Sequence, residues 1–443
     1  MAEATPRYAE LLSRAWPVIV ANAAAPLLGL VDTAVIGNTG AVADLGAIAL
    51  GALVFNFLYW GFGFLRMGTT GFTAQADGRD DSAEVRVVLA RALVLALACG
   101  LLLVALQWPI IGAALGLLDG SAAVETSAAT YLGIRIWGAP AALATFAMMG
   151  TLIGLGLTRQ LLAVQLFLNG LNIVLDLWLA GVLGWGVAGI ATGTVIAEWA
   201  AAGLSAAILW RVLRRRHVDD EPFLPIARLR SRSAAVALLG ANRDLMLRTL
   251  LMLLCFAWFT NAGARFGDVV LAANHILLQF ISFSAYFLDG FAFVAEGEVG
   301  RAIGRRRRAL LDAVVRRSTE LAAITACCLA ALLLVFADAG IAVLTDLPAV
   351  RSQAAAFVPF AAAYIAVSFA AFQLDGIFIG ATRHADMRNA SALSAAGFAL
   401  LALLLAGAYG NLGLWAAFIA YVLLRALALL LRYPALRAAI PDA

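Results

Sequence analysis

Twelve long apolar stretches carry almost no charge, and no other feature limits the fold as sharply. They lie at about 9–37, 45–75, 86–110, 124–156, 160–183, 187–210, 241–265, 269–298, 314–337, 350–380, 389–409 and 412–432. A helix needs about 20 apolar residues to cross roughly 30 Å of hydrocarbon. Inside lipid every backbone N–H and C=O must find a partner within the protein, so only helices and closed barrels span. A barrel would show short segments of alternating polarity, and the chain has none. The expected fold is therefore an all-α integral membrane protein of twelve transmembrane helices. Composition agrees, with 63% hydrophobic and 13% charged residues, against about half and a quarter in soluble domains. The first run is too long for a cleaved signal and passes into GNTGAVADLG without a small-residue cleavage pattern, so it reads as helix one.

All 31 basic side chains are Arg. They gather in RVLRRRH (211–217) and RLRSR (228–232) after helix six, RAIGRRRR (301–308) after helix eight and TRHADMR (382–388) after helix ten. The opposite connections carry only Arg265 and Arg351. Arginine collects on the cytoplasmic side, which places both termini in the cytoplasm of a bacterial inner, or plasma, membrane. The excess of Arg is a topology signal, and no nucleic-acid partner is expected. Cys99, Cys255, Cys327 and Cys328 sit in apolar segments without C-x-x-C or Cys/His spacing. They read as small buried hydrophobes, with neither disulfide nor metal site.

The two halves echo each other. GFTAQADG (71–78) matches GEVGRAIG (297–304), LGLTR (155–159) matches IGATR (379–383), and GVAGIAT (186–192) matches GLWAAFI (413–419). Each pair is short, but all three share nearly the same offset and the same place in a six-helix unit. The expected organisation is an amino-terminal lobe over 1–210, a cytoplasmic linker over 211–240 and a carboxy-terminal lobe over 241–443. Two six-helix repeats of equal orientation imply a pseudo-two-fold axis along the membrane normal. That duplication is a transporter architecture, and because both halves lie in one chain a monomer suffices.

Against this apolar background a few polar residues need a reason. An Asp at the bilayer centre is penalised by roughly 2.5–3.5 kcal/mol on insertion scales. Asp32 lies near the end of helix one, and Asp176 near the end of helix five with Asn172 one turn earlier on the same face. Helix six begins at that depth and carries Thr194 and Glu198, again one turn apart. Three helices of one lobe thus bring carboxylates, an amide and a hydroxyl to one level. This oxygen set suits a proton or an alkali cation, so no cofactor is expected beyond a coupling H⁺ or Na⁺. Pro26 should bend helix one just before Asp32. The other half carries Arg248, Asp289, Glu296, Glu298 and Asp375, and an ion pair of Arg248 with Asp289 or Asp375 is the expected device there. No HExxH, GxSxG or paired-His motif is present, so no enzyme is expected.

PLLGLVDTAVIG (26–37), FLRMGTTGFTAQADG (64–78), LNIVLDLWL (171–179), ANRDLMLR (241–248), FLDGFAFVAE (287–296) and LDGIFIGATRHADMRNA (374–390) together resemble the multidrug and toxic compound extrusion (MATE) family, in its DNA-damage-inducible-protein-F-like branch. The resemblance covers essentially the whole chain. It implies two six-helix lobes in a V and efflux of small organic cations against inward Na⁺ or H⁺. The family's amino-terminal cation site falls on Asp32, Asn172, Asp176 and Thr194, which would hold the metal if the coupling ion is Na⁺. Two departures stand out. Leu28 takes a position where some members have Tyr, and helix seven lacks the acid of a carboxy-terminal Na⁺ site. The expected function is export of amphipathic organic cations by alternating access within the lipid membrane. The alternatives are export of citrate-like organic anions, as by plant relatives, and flipping of lipid-linked intermediates.

Overall fold

A computed structural model describes residues 6–39, 41–117, 121–217 and 222–441. Twelve helices in it are long and apolar enough to cross a membrane. They are helix one (Tyr8–Asn38), two (Ala43–Gly78), three (Ser82–Ala105), four (Ala122–Gly154), five (Thr158–Val182) and six (Gly186–Arg215), then seven (Arg232–Ala264), eight (Asp268–Gly304), nine (Arg308–Leu344), ten (Pro348–Gly380), eleven (His384–Tyr409) and twelve (Asn411–Ala438). Among the described residues no strand occurs. Large apolar side chains cover the outside, such as Trp108, Val182, Val335 and Val343. That is the surface a bilayer requires, where a soluble protein would expose scattered apolar residues only.

The repeat is written into the backbone. Left-handed φ values recur at one constant offset after matching helices: 58° at Asp80 and 54° at Arg306, 70° at Gly156 and 55° at Thr382, and 68° at Gly184 and 61° at Gly410. Close packing recurs with them. A Cβ on Gly150 or Gly154 of helix four would lie 2.4 Å from the Arg66 carbonyl oxygen or 2.8 Å from Thr73 Cβ, both in helix two. Their counterparts Gly376 and Gly380 in helix ten would each place a Cβ 2.4 Å from a helix-eight carbonyl oxygen, of Ala292 and Glu296. Both pairs have Gly-x-x-x-Gly spacing, which lets membrane helices approach backbone to backbone where lipid gives no hydrophobic drive for association.

The chain packs as two compact units, Val20–Leu238 and Met1–Ile19 with Leu239–Ala443. The division therefore falls within helix one, and not in the linker alone as chain order suggested. The physical reason is visible in the second unit, where Leu11 and Ala15 pack against Phe291, Val294 and Ala322. Arg14 and Arg301 both pair with Glu298, and Arg317 donates to the Pro6 carbonyl at 2.7 Å. Helix seven begins at Arg232, so the segment left as linker is shorter than 211–240. Deeper in this unit Phe418 is fully buried and stacks on Tyr364 at 4.7 Å. The side-chain amides of Asn274 and Asn411 exchange hydrogen bonds of 2.8 and 3.1 Å, tying helix eight to helix twelve.

Helical regularity breaks in the first unit next to polar groups. Helix four passes through a 3₁₀ turn, Ile136–Gly138, directly after Arg135. Helix five changes from α to π pitch at Leu177–Val182, directly after Asp176. Helix one stays helical through position 26. The side chain of Pro26, and the bend expected there, lie outside the described residues. All four cysteines are free, and only Cys255 is fully buried. Cys327 and Cys328 are exposed on helix nine, correcting the expected burial: a thiol in an apolar run is as much at home against lipid as in a core.

Candidate functional site

The first unit collects Asp32, Asn172, Asp176 and Thr194, all buried. Asn172 is the joint. Its Nδ2 donates to Asp176 Oδ2 at 2.7 Å and reaches Thr194 Oγ1 at 3.4 Å. The one-turn spacing of Asn172 and Asp176 makes the first contact possible within helix five, and Thr194 faces them from helix six. Thr194 gives its own proton to the Ile190 carbonyl at 2.9 Å, so its lone pairs face the cluster. Asp32 of helix one is buried in the same unit, with its Oδ1 unbonded. Gly193 permits the approach of helix six, since a Cβ there would stand 2.6 Å from Asp176 Oδ1. The π turn after Asp176 is the kind of helix irregularity that occurs at functional sites.

Three acceptor oxygens in this cluster are buried with no donor: Oδ1 of Asp32, Oδ1 of Asn172 and Oδ1 of Asp176. Orphaned acceptors are costly in a low-dielectric interior, and a cation satisfies them. The donor set is all oxygen, which fits a proton or Na⁺ and not a softer metal. Among the described residues no group of three or more His, Cys, Asp and Glu is placed to hold a metal ion, so the Asn and Thr oxygens are essential to any Na⁺ reading.

Glu198, counted with this cluster from sequence, is engaged elsewhere. Arg135 binds it in a bidentate pair, Nη1 to Oε2 and Nη2 to Oε1, both 2.7 Å. Arg135 also donates to the Tyr59 hydroxyl at 3.3 Å and lies over the rings of Phe55 and Tyr59 at 4.9 and 5.5 Å. Gly138 in the 3₁₀ turn makes room, for a Cβ there would fall 2.0 Å from Glu198 Oε2. Sequence reasoning passed over Arg135. The signal was present: a lone Arg inside an apolar run, about as far into helix four as Glu198 is into helix six.

In the second unit Arg248 pairs with Asp375, one of its two expected partners. Arg425 of helix twelve, also passed over in the sequence, joins the same carboxylate oxygen at 2.6 Å. Asp289 belongs to the same unit, on helix eight, but the acid bonded to both guanidiniums is Asp375. His275 is exposed and touches Gln279 at 3.2 Å.

A duplicated set of twelve membrane helices, with buried oxygen ligands in one repeat and a buried charge network in the other, defines a duplicated membrane transporter. The family model MatE matches residues 17–178 and again 245–406, one copy in each repeat. The chain belongs to that family. It is 40% identical over 415 residues to DNA damage-inducible protein F of Escherichia coli (strain K12), covering 94% of this chain and 89% of that protein. It is 31% identical over 315 residues to a probable multidrug resistance protein NorM of Deinococcus radiodurans, covering 68% and 65% of the two chains. A solved multidrug resistance MATE family transporter in an outward-facing conformation shares the fold, with a TM-score of 0.86 at 17% identity over 98% of this chain and 97% of its own.

Proposed function

We propose that this protein exports amphipathic organic cations in exchange for protons, by alternating access, with Asp32 and Asp176 as the proton-carrying pair. One observation carries the choice of ion. Asp32 and Asp176 are both buried in one cluster, each with an oxygen that no donor reaches, and two such carboxyl groups in a low-dielectric interior are held most cheaply when one carries a proton. Asn172 donates to Asp176 and steadies it when charged, while Thr194 accepts from the same amide and holds it in place. Releasing the proton leaves two buried carboxylates side by side, a state that favours a cationic substrate. Taking the proton up removes that attraction and releases the substrate. Binding shifts the conformations only by its differential affinity for them, and the exchange of proton for cation supplies such a difference. The NorM relative is named as a multidrug resistance protein, which supports a drug-like cation as cargo. The Arg-rich connections support a bacterial inner membrane location with cytoplasmic termini, and the fused repeats support a working monomer.

The test is proton release on substrate binding. Adding a lipophilic organic cation to lightly buffered, purified protein near neutral pH should acidify the solution in proportion to binding. Asp176→Asn should bind without acidifying. Binding by the wild type with no proton release would contradict the reading.

A further inference from the structure

We propose that the second unit holds a site for a small anion, formed by the guanidinium groups of Arg248 and Arg425. This rests on the charge count in that unit and not on the proton-coupling reading of the first.

Arg248 and Arg425 are buried, as is Asp375. Both guanidiniums bond the same oxygen, Asp375 Oδ2. Among the described residues no other carboxylate pairs with either. A guanidinium does not lose its charge in a protein, so one carboxylate faces two permanent positive charges. A buried charge without a counter-charge is costly. The first unit shows the balanced arrangement, with Glu198 bonded by both ends of the Arg135 fork, one acid to one base. The cluster of Arg248, Arg425 and Asp375 lacks that balance.

The spare hydrogen-bonding capacity has the same sign. The Nε of Arg248 and the Nε of Arg425 are both buried without an acceptor. Besides Asp375, Arg425 lies near the sulfur of Met252 at 3.8 Å and the ring of Phe372 at 5.9 Å. The Tyr421 hydroxyl lies beside Arg425 and adds an O–H that can donate. What this surface lacks is an acceptor with negative charge. A carboxylate or a halide meets both needs, whereas a metal ion or an organic cation meets neither. Asp375 competes for the same donors, so it holds the two arginines together and also weakens any anion that joins them.

The test uses purified full-length protein at constant ionic strength, balanced with a bulky sulfonate. Its thermal midpoint should rise saturably with acetate or chloride. A stronger response to acetate assigns the site to a carboxylate ligand, and a stronger response to chloride assigns it to a halide. Arg425→Gln should raise the half-saturating concentration roughly tenfold or more. Asp375→Asn should lower it by a similar factor, because it removes the internal competitor. Arg425→Lys, which keeps the charge and loses the planar fork, should weaken acetate more than chloride. A purely structural triad predicts no saturable response in the wild type. A flat midpoint with both anions, or an Asp375→Asn protein that binds neither more tightly, would overturn the proposal.

Discussion

Glu198 and Arg425 occupy matching places in the two repeats, within one position of the offset set by the left-handed turns, and they carry opposite charge. Glu198 of helix six closes on Arg135 of helix four, and Arg425 of helix twelve closes on Asp375 of helix ten. The duplicated scaffold thus uses the same two helices of each repeat for an intramembrane ion pair, with reversed polarity. The remaining acids of the first repeat, Asp32 and Asp176, lie in the cluster with Asn172 and Thr194. The second repeat is left with a surplus guanidinium. Divergence after duplication has separated the chemistry of the halves while retaining their glycine contacts.

The Arg135–Glu198 pair should matter more when broken than when removed. Arg135→Gln leaves a buried carboxylate without its partner and should cost about 3–5 kcal/mol of stability. The double variant Arg135→Met with Glu198→Leu should lie close to wild type. Denaturant midpoints in one detergent, for Arg135→Met alone, Glu198→Leu alone and the double, measure the coupling. Equal loss in all three would show that the pair is not the unit of stability.

Two glycines should be intolerant of a single methyl group. Gly138→Ala drives a Cβ into Glu198, and Gly193→Ala drives one into Asp176. Overpacking of this kind costs about 1–3 kcal/mol, and at Gly193 it should also depress transport. Gly203→Ala is the control, since nothing lies within 4 Å of its added Cβ. Transport by Gly193→Ala at the rate of Gly203→Ala would mean that helix six need not approach Asp176 so closely.

Orientation is open to direct labelling. On a background without other cysteines, Leu183→Cys, between helices five and six, should react with a membrane-impermeant maleimide applied to intact spheroplasts. Arg305→Cys, in the Arg-rich connection after helix eight, should react only after the membrane is opened. The reverse pattern would invert the assigned topology.

Much of this was legible in the sequence because lipid leaves few solutions. Apolar length fixed the number of helices, and the cost of a membrane carboxylate drew attention to Asp32 and Asp176. The one-turn spacing of Asn172 and Asp176 put them on one face of helix five, where the structure shows them bonded. What depth alone did not settle was pairing. Glu198 stands near the level of the acids, yet the 3₁₀ turn at Ile136–Gly138 and the space at Gly138 give it to Arg135. Neither appears as a pattern of hydropathy. The start of helix one likewise packs with the second unit because Leu11, Ala15 and Arg14 find partners on helices eight and nine, which chain order does not show.

The most direct test of proton coupling uses proteoliposomes loaded with a fluorescent organic cation. Inward proton and inward Na⁺ gradients are imposed separately, on wild type and on folded Asp32→Asn protein. Efflux driven by the proton gradient and lost in Asp32→Asn is the predicted result. Efflux that needs only Na⁺, or that proceeds at the wild-type rate in Asp32→Asn, would contradict it.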